Sequence, residues 1–336
     1  MGDVFIKVGA FVTIICVGYL AGRSGRLGEG TGQALSKIVF DFTLPCAVIN
    51  AFGQADFSHD LLWLMPVGVA FTVGSYFLML LLTRRSSWRD RVFYLCNISG
   101  YSIGCFAMPF IQAFFPPSLV VAICPFDAGN AVMMSGGTYA LTSVLVREAD
   151  GGGSRPADGG APAADAGTPT AGSGAPANAA QNPALLVARR LFSSVTIDVY
   201  LVLILMSLVG LRVPAGVIQF TAPMANANGF LAMFMLGMMT SLSVDASQLG
   251  KVARLLGLRL ALNVAFTLLA IFVMPFDPMV RVILCMGIWA PVGAMGPVFT
   301  MWCRGDHGLA GFANAITIGV SVVAMTAIVI LSGGAA

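Results

Sequence analysis

Two stretches of this sequence interrupt apolar segments with glycine and proline: Asn97-Ile-Ser-Gly-Tyr-Ser-Ile-Gly-Cys-Phe-Ala-Met-Pro109 and Gly287-Ile-Trp-Ala-Pro-Val-Gly-Ala-Met-Gly-Pro297. Proline has no backbone N–H and clashes with the preceding helical turn, so each stretch predicts a broken helix. Backbone groups that are freed inside a bilayer must bind protein, water or a ligand. The N-termini of the half-helices would offer N–H groups and partial positive charge to an anion. A simple packing kink is the other interpretation of either stretch alone.

The rest of the chain is strongly apolar. Of its 336 residues, 57% are hydrophobic and only 10% are charged, whereas a soluble domain has about 25% charged residues. Apolar runs of about 20 residues, the length that crosses a bilayer, recur along the chain. We therefore predict an all-α integral membrane protein with ten transmembrane helices, of which the fourth and the ninth are broken. The predicted helices cover residues 4–22, 35–54, 61–82, 92–114, 118–146, 192–211, 222–243, 255–274, 279–302 and 309–332.

A segment of different composition divides these ten helices into two sets of five. Residues 148–183 are rich in Ala, Gly, Pro and Ser and could not form a core, which is typical of a flexible linker. Because five is odd, the repeats 1–147 and 184–336 would enter the membrane in opposite directions. Transporters built from inverted repeats bind substrate at the midplane where the repeats meet. Broken helices at corresponding positions of the two repeats therefore favour a binding site over two unrelated kinks.

The basic residues predict the orientation. If both termini lie outside the cytoplasm, all of the 18 Lys and Arg residues except Lys7, Arg212 and Arg281 fall on the side of the linker. Cytoplasmic loops are enriched in Lys and Arg. We predict a multi-pass protein of the cytoplasmic membrane with extracytoplasmic termini and a cytoplasmic linker. This assignment places Arg259 among the cytoplasmic loop residues.

Polar residues at membrane depth are costly and usually face a cavity. Asp127 lies in the predicted fifth helix with Asn130 one turn away on the same face. The tenth helix carries Asn314 and Thr317 at the same spacing. Asp127 is the candidate carrier of a coupling proton, and a helix-capping role is the alternative. Asp41 and Asp198 are weaker candidates, because each is predicted near a helix end.

Several site types are not predicted. The seven cysteines occur singly, and His59 and His307 fall in predicted loops, so we expect no metal site and no cofactor. The sequence has no Walker-type motif for ATP. It also lacks the paired acids or His/Asp motifs of an intramembrane enzyme, and its net charge of +3 is too small to indicate nucleic-acid binding.

Short motifs along the whole chain resemble the auxin efflux carrier family, which includes plant auxin exporters and bacterial malate and malonate permeases. The resemblance implies ten helices in two inverted repeats, a scaffold part and a mobile part, elevator-like alternating access and often a homodimer. The short loops are similar to those of the bacterial permeases. The matching pieces are Gly18-Tyr-Leu, Leu35-Ser-Lys-Ile-Val-Phe-Asp-Phe-Thr-Leu-Pro45, Gly104-Cys-Phe-Ala-Met-Pro109, Asn182-Pro183, Val213-Pro214 and Gly296-Pro-Val-Phe-Thr300.

The resemblance also implies a substrate site at the fourth and ninth helices. The family usually has an asparagine ahead of Gly-x-x-Gly-x-Pro, where this chain has Ser102, and Ala107 replaces the second glycine. Asn97, five residues before Ser102, is the alternative residue for the same role. The candidate substrate-binding residues are Ser102, Gly104, Pro109, Asp127, Asn130, Pro291, Gly293, Pro297 and Asn314.

These features favour a secondary active transporter for a small organic anion or carboxylate, driven by H⁺, Na⁺ or the membrane potential. Its expected partners are the anion, the coupling ion, the lipid bilayer and a second copy of the chain. One alternative is a sodium-coupled symporter or cation antiporter of the related inverted-repeat superfamily, which would need a denser cluster of acids. A membrane sensor that uses the linker for output is an alternative from a different class.

Overall fold

The computed structural model describes residues 2–28, 30–54, 57–149, 194–242 and 244–333, and within these ranges it is helical, with no β-strand. Except for residues 148 and 149, the predicted linker lies outside them. The helices are labelled in chain order: α1 Gly2–Arg23, α2 Thr31–Gly53, α3 His59–Leu82, α4 Trp88–Ile98, α5 Ile103–Phe114, α6 Pro117–Val146, α7 Val195–Leu208, α8 Ala215–Met238, α9 Ala246–Phe272, α10 Pro278–Ile288, α11 Gly296–Trp302 and α12 His307–Leu331.

Six of these helices, α1, α2, α3, α6, α9 and α12, are long and apolar enough to cross a membrane. The predicted fourth helix consists of α4 and α5, and the predicted ninth consists of α10 and α11. We call residues 99–102 the first break and residues 289–295 the second break. The all-helical class is confirmed for the described residues, with six candidate membrane spans. Ten spans in two inverted repeats stay a prediction.

The helix predicted at 222–243 begins earlier than expected. In the structure α8 starts at Ala215, directly after Pro214, and continues through Pro223. A proline inside a helix frees only the carbonyl one turn earlier, and neighbouring groups in a membrane protein can bind that carbonyl. The predicted boundary was wrong because Pro223 resembles a start signal when only the sequence is considered.

The helices pack in two groups. Group A consists of α1, α2, α7 and α8, in which α8 packs along both α1 and α2, and α7 packs on α2. Group B consists of α3–α6 and α9–α12, in which α3 packs along α6, α4 packs on α11, and α9 packs on α10. Each group draws helices from both sides of the predicted linker. The halves of the sequence are therefore interleaved in space.

Glycines allow the closest helix contacts. A Cβ at Gly68 of α3 would overlap the carbonyl oxygen of Phe126, and a Cβ at Gly129 of α6 would overlap that of Met65. In group A, a Cβ at Gly18 of α1 would overlap the carbonyl oxygen of Phe234, and a Cβ at Gly237 of α8 would overlap that of Ile15. Without side chains at these positions the backbones can approach closely, which is how many membrane helices associate.

The contact between α3 and α6 gives a first prediction. Gly68→Ala should lower the melting temperature of the detergent-solubilised protein, because the added methyl group must push α3 away from α6, at a cost of about 1–3 kcal/mol. Gly74→Ala on the same helix is the matched control, since a Cβ at that position meets nothing within 4 Å. Equal melting temperatures for the two variants would contradict the close packing.

Candidate functional site

The two breaks cross each other and exchange backbone hydrogen bonds. The N–H of Ser102 donates to the carbonyl of Pro291 at 2.9 Å, and the N–H of Gly293 donates to the carbonyl of Gly100 at 3.2 Å. These bonds give an isolated antiparallel bridge between Tyr101 and Val292. Backbone N–H and C=O groups without a partner in their own helix thus form hydrogen bonds with the opposite break. Such groups need a partner inside a bilayer, because no water is available there.

Two of the prolines lie after the breaks and not in them. Pro109 is the second residue of the α-helical part of α5, Met108–Phe114, and Pro297 is the second residue of α11. First-turn amides have no helical acceptor, so proline is tolerated at position 297, whereas Pro109 lies inside α5, after the π-helical turn Ile103–Ala107. The prediction that Pro109 and Pro297 interrupt their helices is therefore wrong. Pro291 does lie within the second break.

One side chain from a neighbouring helix binds the middle of each break. On α6, Asn130 accepts a hydrogen bond from the N–H of Tyr101 at 3.0 Å and donates to the Tyr101 carbonyl at 2.9 Å. Asn130 also donates to Asp127 Oδ1 at 3.0 Å. On α12, the Thr317 hydroxyl accepts a hydrogen bond from the N–H of Val292 at 3.2 Å. Asn130 therefore binds the backbone of the first break, and Thr317 binds the backbone of the second break in a similar way.

A buried arginine joins the two breaks. Arg259 of α9 donates to the carbonyls of Ile98 and Gly100, both at 3.0 Å, and to the carbonyl of Ala290 at 3.2 Å. Its guanidinium carbon lies 4.7 Å from the centre of the Tyr101 ring, within the range of a cation–π interaction. The guanidinium therefore donates to carbonyl oxygens at or just after the ends of α4 and α10, where the helical hydrogen bonds stop.

Arg259 was not predicted as a site residue. The prediction that it is a cytoplasmic loop residue is wrong, because it lies inside α9 and is only 4% exposed. The predicted helix began at residue 255, which placed Arg259 near a helix end. A usable signal was present, since α9 begins at Ala246 and the arginine is followed by a long apolar run.

A cavity of about 100 Å³ lies beside the first break, between group A and group B. A volume of roughly 10–15 Å³ holds one water molecule, so this cavity has room for several waters or a small ligand. Four of the predicted site residues line it, namely Ser102, Gly104, Asp127 and Asn130. The other polar or titratable lining residues are Asp41, Tyr101, Cys105, Ser135, Ser194, Thr196 and Tyr200.

Asp127 is the buried acid of the cavity and connects the two groups. Its Oδ2 accepts a hydrogen bond from the hydroxyl of Tyr200 on α7 at 2.8 Å, in addition to the bond from Asn130. Only 7% of Asp127 is exposed. Tyr200 was not predicted as a site residue, because its sequence context is an ordinary apolar helix.

The first turn of α5 also faces the cavity. Residues 102–105 line it, and the buried hydroxyl of Ser102 has no hydrogen-bond partner. Amides in a first helical turn have no helical acceptor and carry partial positive charge. Among the described lining residues there is no Lys, Arg or His side chain. The partial positive charge that the described lining residues offer at the cavity wall therefore comes from backbone amides.

The other candidate residues lie elsewhere. Gly293 contacts the first break through its backbone, as Pro291 does. Pro109, Pro297 and Asn314 are not among the residues that line the cavity. Whether any candidate residue touches a substrate stays a prediction.

The two alternatives for the family asparagine have different surroundings. The side-chain amide of Asn97 donates to the carbonyl of Phe93 at 2.8 Å and to Thr300 Oγ1 at 3.0 Å. Asn97 thus connects α4 to α11 and does not line the cavity. Ser102 is the alternative that lies at the cavity wall.

Residues 3–149, which contain α1 to α6, match the family model described as membrane transport protein. This model is that of the auxin efflux carrier family. No curated protein is similar enough to the chain to count as a match. The family match includes the first break, Asp127 and Asn130, and it ends before Arg259 and the second break. Together with the apolar helices, it indicates a multi-pass membrane protein of a transporter family.

Proposed function

We propose that the chain is a secondary active transporter that moves a small organic anion across the cytoplasmic membrane. The observation that carries the proposal is the cavity between group A and group B, at the point where two broken helices cross. A cavity between two packed groups can open to either side of the membrane if group B moves past group A. In elevator-like alternating access, group B would make this movement and group A would be the stationary scaffold.

The arrangement of the breaks supports two inverted repeats, with boundaries at 1–147 and 184–336. Asp127 and Asn130 correspond by spacing to Asn314 and Thr317 in the predicted second repeat. Asn130 and Thr317 each bind the middle residue of the break nearest to them. Equivalent positions in two halves with equivalent contacts are what a duplicated, inverted unit would give. The dimer that the family resemblance implies stays a prediction.

The cavity wall supports an anionic ligand. A substrate carboxylate could accept hydrogen bonds from the first amides of α5 and from the Ser102 hydroxyl, which has no partner of its own. Asp127 would then have to be protonated, because two carboxylates in so small a volume would repel each other. Anion entry would thereby require a proton. We propose Asp127 as the carrier of that coupling proton.

A sodium-coupled symporter or cation antiporter is the second candidate. Asp41 of α2 and Asp127 of α6 line the same cavity, and no basic side chain joins them among the described lining residues. Two acids with nearby hydroxyl groups would suit a cation. This alternative would make Asp127 a cation ligand and not a proton carrier.

Counterflow in proteoliposomes tests the proposed function. Purified protein is preloaded with unlabelled pyruvate, lactate, malate or malonate, and uptake of the same labelled compound is followed. Exchange of at least one carboxylate that requires the protein would support the proposal, and exchange of none would contradict it. Repeating net uptake with either a pH gradient or a sodium gradient distinguishes the two candidates, because only one gradient should drive accumulation.

The proposed orientation gives a second prediction. Both termini should lie outside the cytoplasm and the segment 148–183 inside, because the basic residues concentrate on the linker side. In a variant without native cysteines, Ser173→Cys should be labelled by a membrane-impermeant thiol reagent only after the cells are opened. A cysteine added at the N-terminus is the control and should react in intact cells. Labelling of Ser173→Cys in intact cells would reverse the orientation.

A further inference from the structure

Only two charged residues are buried in the part of the chain that the structure describes, Asp127 and Arg259. Both belong to group B, Asp127 on α6 and Arg259 on α9. They carry opposite charges, and no described carboxylate forms an ion pair with Arg259. Burying a charge in a membrane protein is costly, so such residues usually have a functional reason.

The two residues lie on opposite faces of the first break. Asp127 lines the large cavity, whereas Arg259 lines a second, water-sized cavity with Asn263, Trp289 and Thr317. Arg259 donates to the Gly100 carbonyl and packs on the Tyr101 ring, and Asn130 links the Tyr101 backbone to Asp127. A continuous set of polar contacts therefore runs from the arginine to the acid.

The described groups next to Asp127 and Arg259 do not neutralise the charge of either side chain. Asp127 faces Tyr200 of α7 and Cys105 of α5, with Cys124 one turn earlier on its own helix and Asp41 of α2 across the cavity. Arg259 faces carbonyl oxygens and Tyr101. Asp41 is half-buried, has an interaction of its own and belongs to group A. Within group B, the buried charges are thus one positive and one negative.

We propose that Arg259 is a specificity-determining residue which, with Asp127, makes the moving part of the carrier neutral in both its empty and its loaded state. This inference rests on the proposed function. In the empty state Arg259⁺ balances Asp127⁻. A monocarboxylate and one proton then enter together, the proton binds Asp127, and Arg259⁺ balances the substrate. Since net charge is costly at membrane depth, the balanced substrate is a monoanion carried with one proton.

Proteoliposomes with a trapped pH indicator and a potassium gradient set by valinomycin test this stoichiometry. The probes are labelled lactate and pyruvate as monocarboxylates, and malate and malonate as dicarboxylates. We expect uptake of a monocarboxylate with one proton per anion and no response to an imposed membrane potential. Uptake that responds to the potential, or a preference for dicarboxylates, would overturn the charge balance while leaving a carboxylate transporter in place.

Variants separate the charge of Arg259 from its structural contacts. Arg259→Lys keeps the charge and should keep the preference for monocarboxylates, whereas Arg259→Gln should weaken anion binding by about tenfold or more. Loss of binding in both variants, with intact folding, would assign Arg259 a purely structural role. In Asp127→Asn the empty carrier would be positive, so net uptake should become sensitive to the membrane potential.

Transport of none of the four probes would contradict the proposed function itself. A measurement that needs no substrate tests separately whether the charges of Asp127 and Arg259 are coupled. Melting temperatures are compared for Asp127→Asn in the wild-type, Arg259→Gln and Arg259→Lys backgrounds. If the charges are paired, the effect of Asp127→Asn should change in the Arg259→Gln background and stay the same in the Arg259→Lys background. Additive effects in both backgrounds would overturn the pairing.

Discussion

Asp127→Asn is expected to abolish uptake driven by a pH gradient while retaining exchange of the substrate between the two sides. The amide resembles the protonated acid in shape and charge, so the binding site keeps its form. It cannot release a proton, so the coupling is lost. The Tyr200 hydroxyl, which now donates to Asp127 Oδ2, can donate to or accept from the new amide, and folding should therefore survive. Net uptake and counterflow in proteoliposomes measure the two activities.

The matched control is Asp198→Asn. Asp198 is an exposed acid in the first turn of α7, near Tyr200 in sequence, and it does not line the cavity. This variant should behave like the wild type in both assays. If Asp127→Asn still accumulates substrate in response to a pH gradient, the proton is carried elsewhere.

Arg259→Leu is expected to cause the largest loss of folded protein. Leucine would leave the carbonyls of Ile98 and Ala290 without the arginine donor that they have now, and the Gly100 carbonyl would keep only the Gly293 N–H. A buried polar group that loses its partner costs about 1–3 kcal/mol, and two such losses are a large share of the total stability of many proteins, about 5–15 kcal/mol. The yield of monodisperse protein and its melting temperature should both fall sharply.

Arg254→Leu controls for the removal of an arginine from the same helix. Arg254 is exposed, and its guanidinium makes a longer contact of 3.4 Å with the carbonyl of Leu82. Its replacement should change the melting temperature little, because exposed interactions of this kind contribute about 0–1 kcal/mol. A normal yield and melting temperature for Arg259→Leu would show that the two breaks are held together without the arginine.

Local patterns in the sequence were sufficient for the helical class and for the positions of the two broken helices. Glycine in both breaks and Pro291 in the second act on the backbone of their own segment, so their effect can be predicted without knowing the neighbours. Pro109 and Pro297 follow the breaks and do not mark them. The contact between Asp127 and Asn130 was predictable for the same reason, since residues three apart share one helix face. The structure places their side chains 3.0 Å apart.

Which residues meet across the breaks was decided by tertiary packing. Arg259 and Tyr200 come from helices far along the chain, and only the arrangement of the two helix groups brings them to residues 98–101 and to Asp127. The partners of a freed carbonyl or a buried acid can come from any segment, and their identity has no local signature. Composition and periodicity therefore predict where a membrane helix breaks, whereas the packed fold determines which side chains stabilise the break.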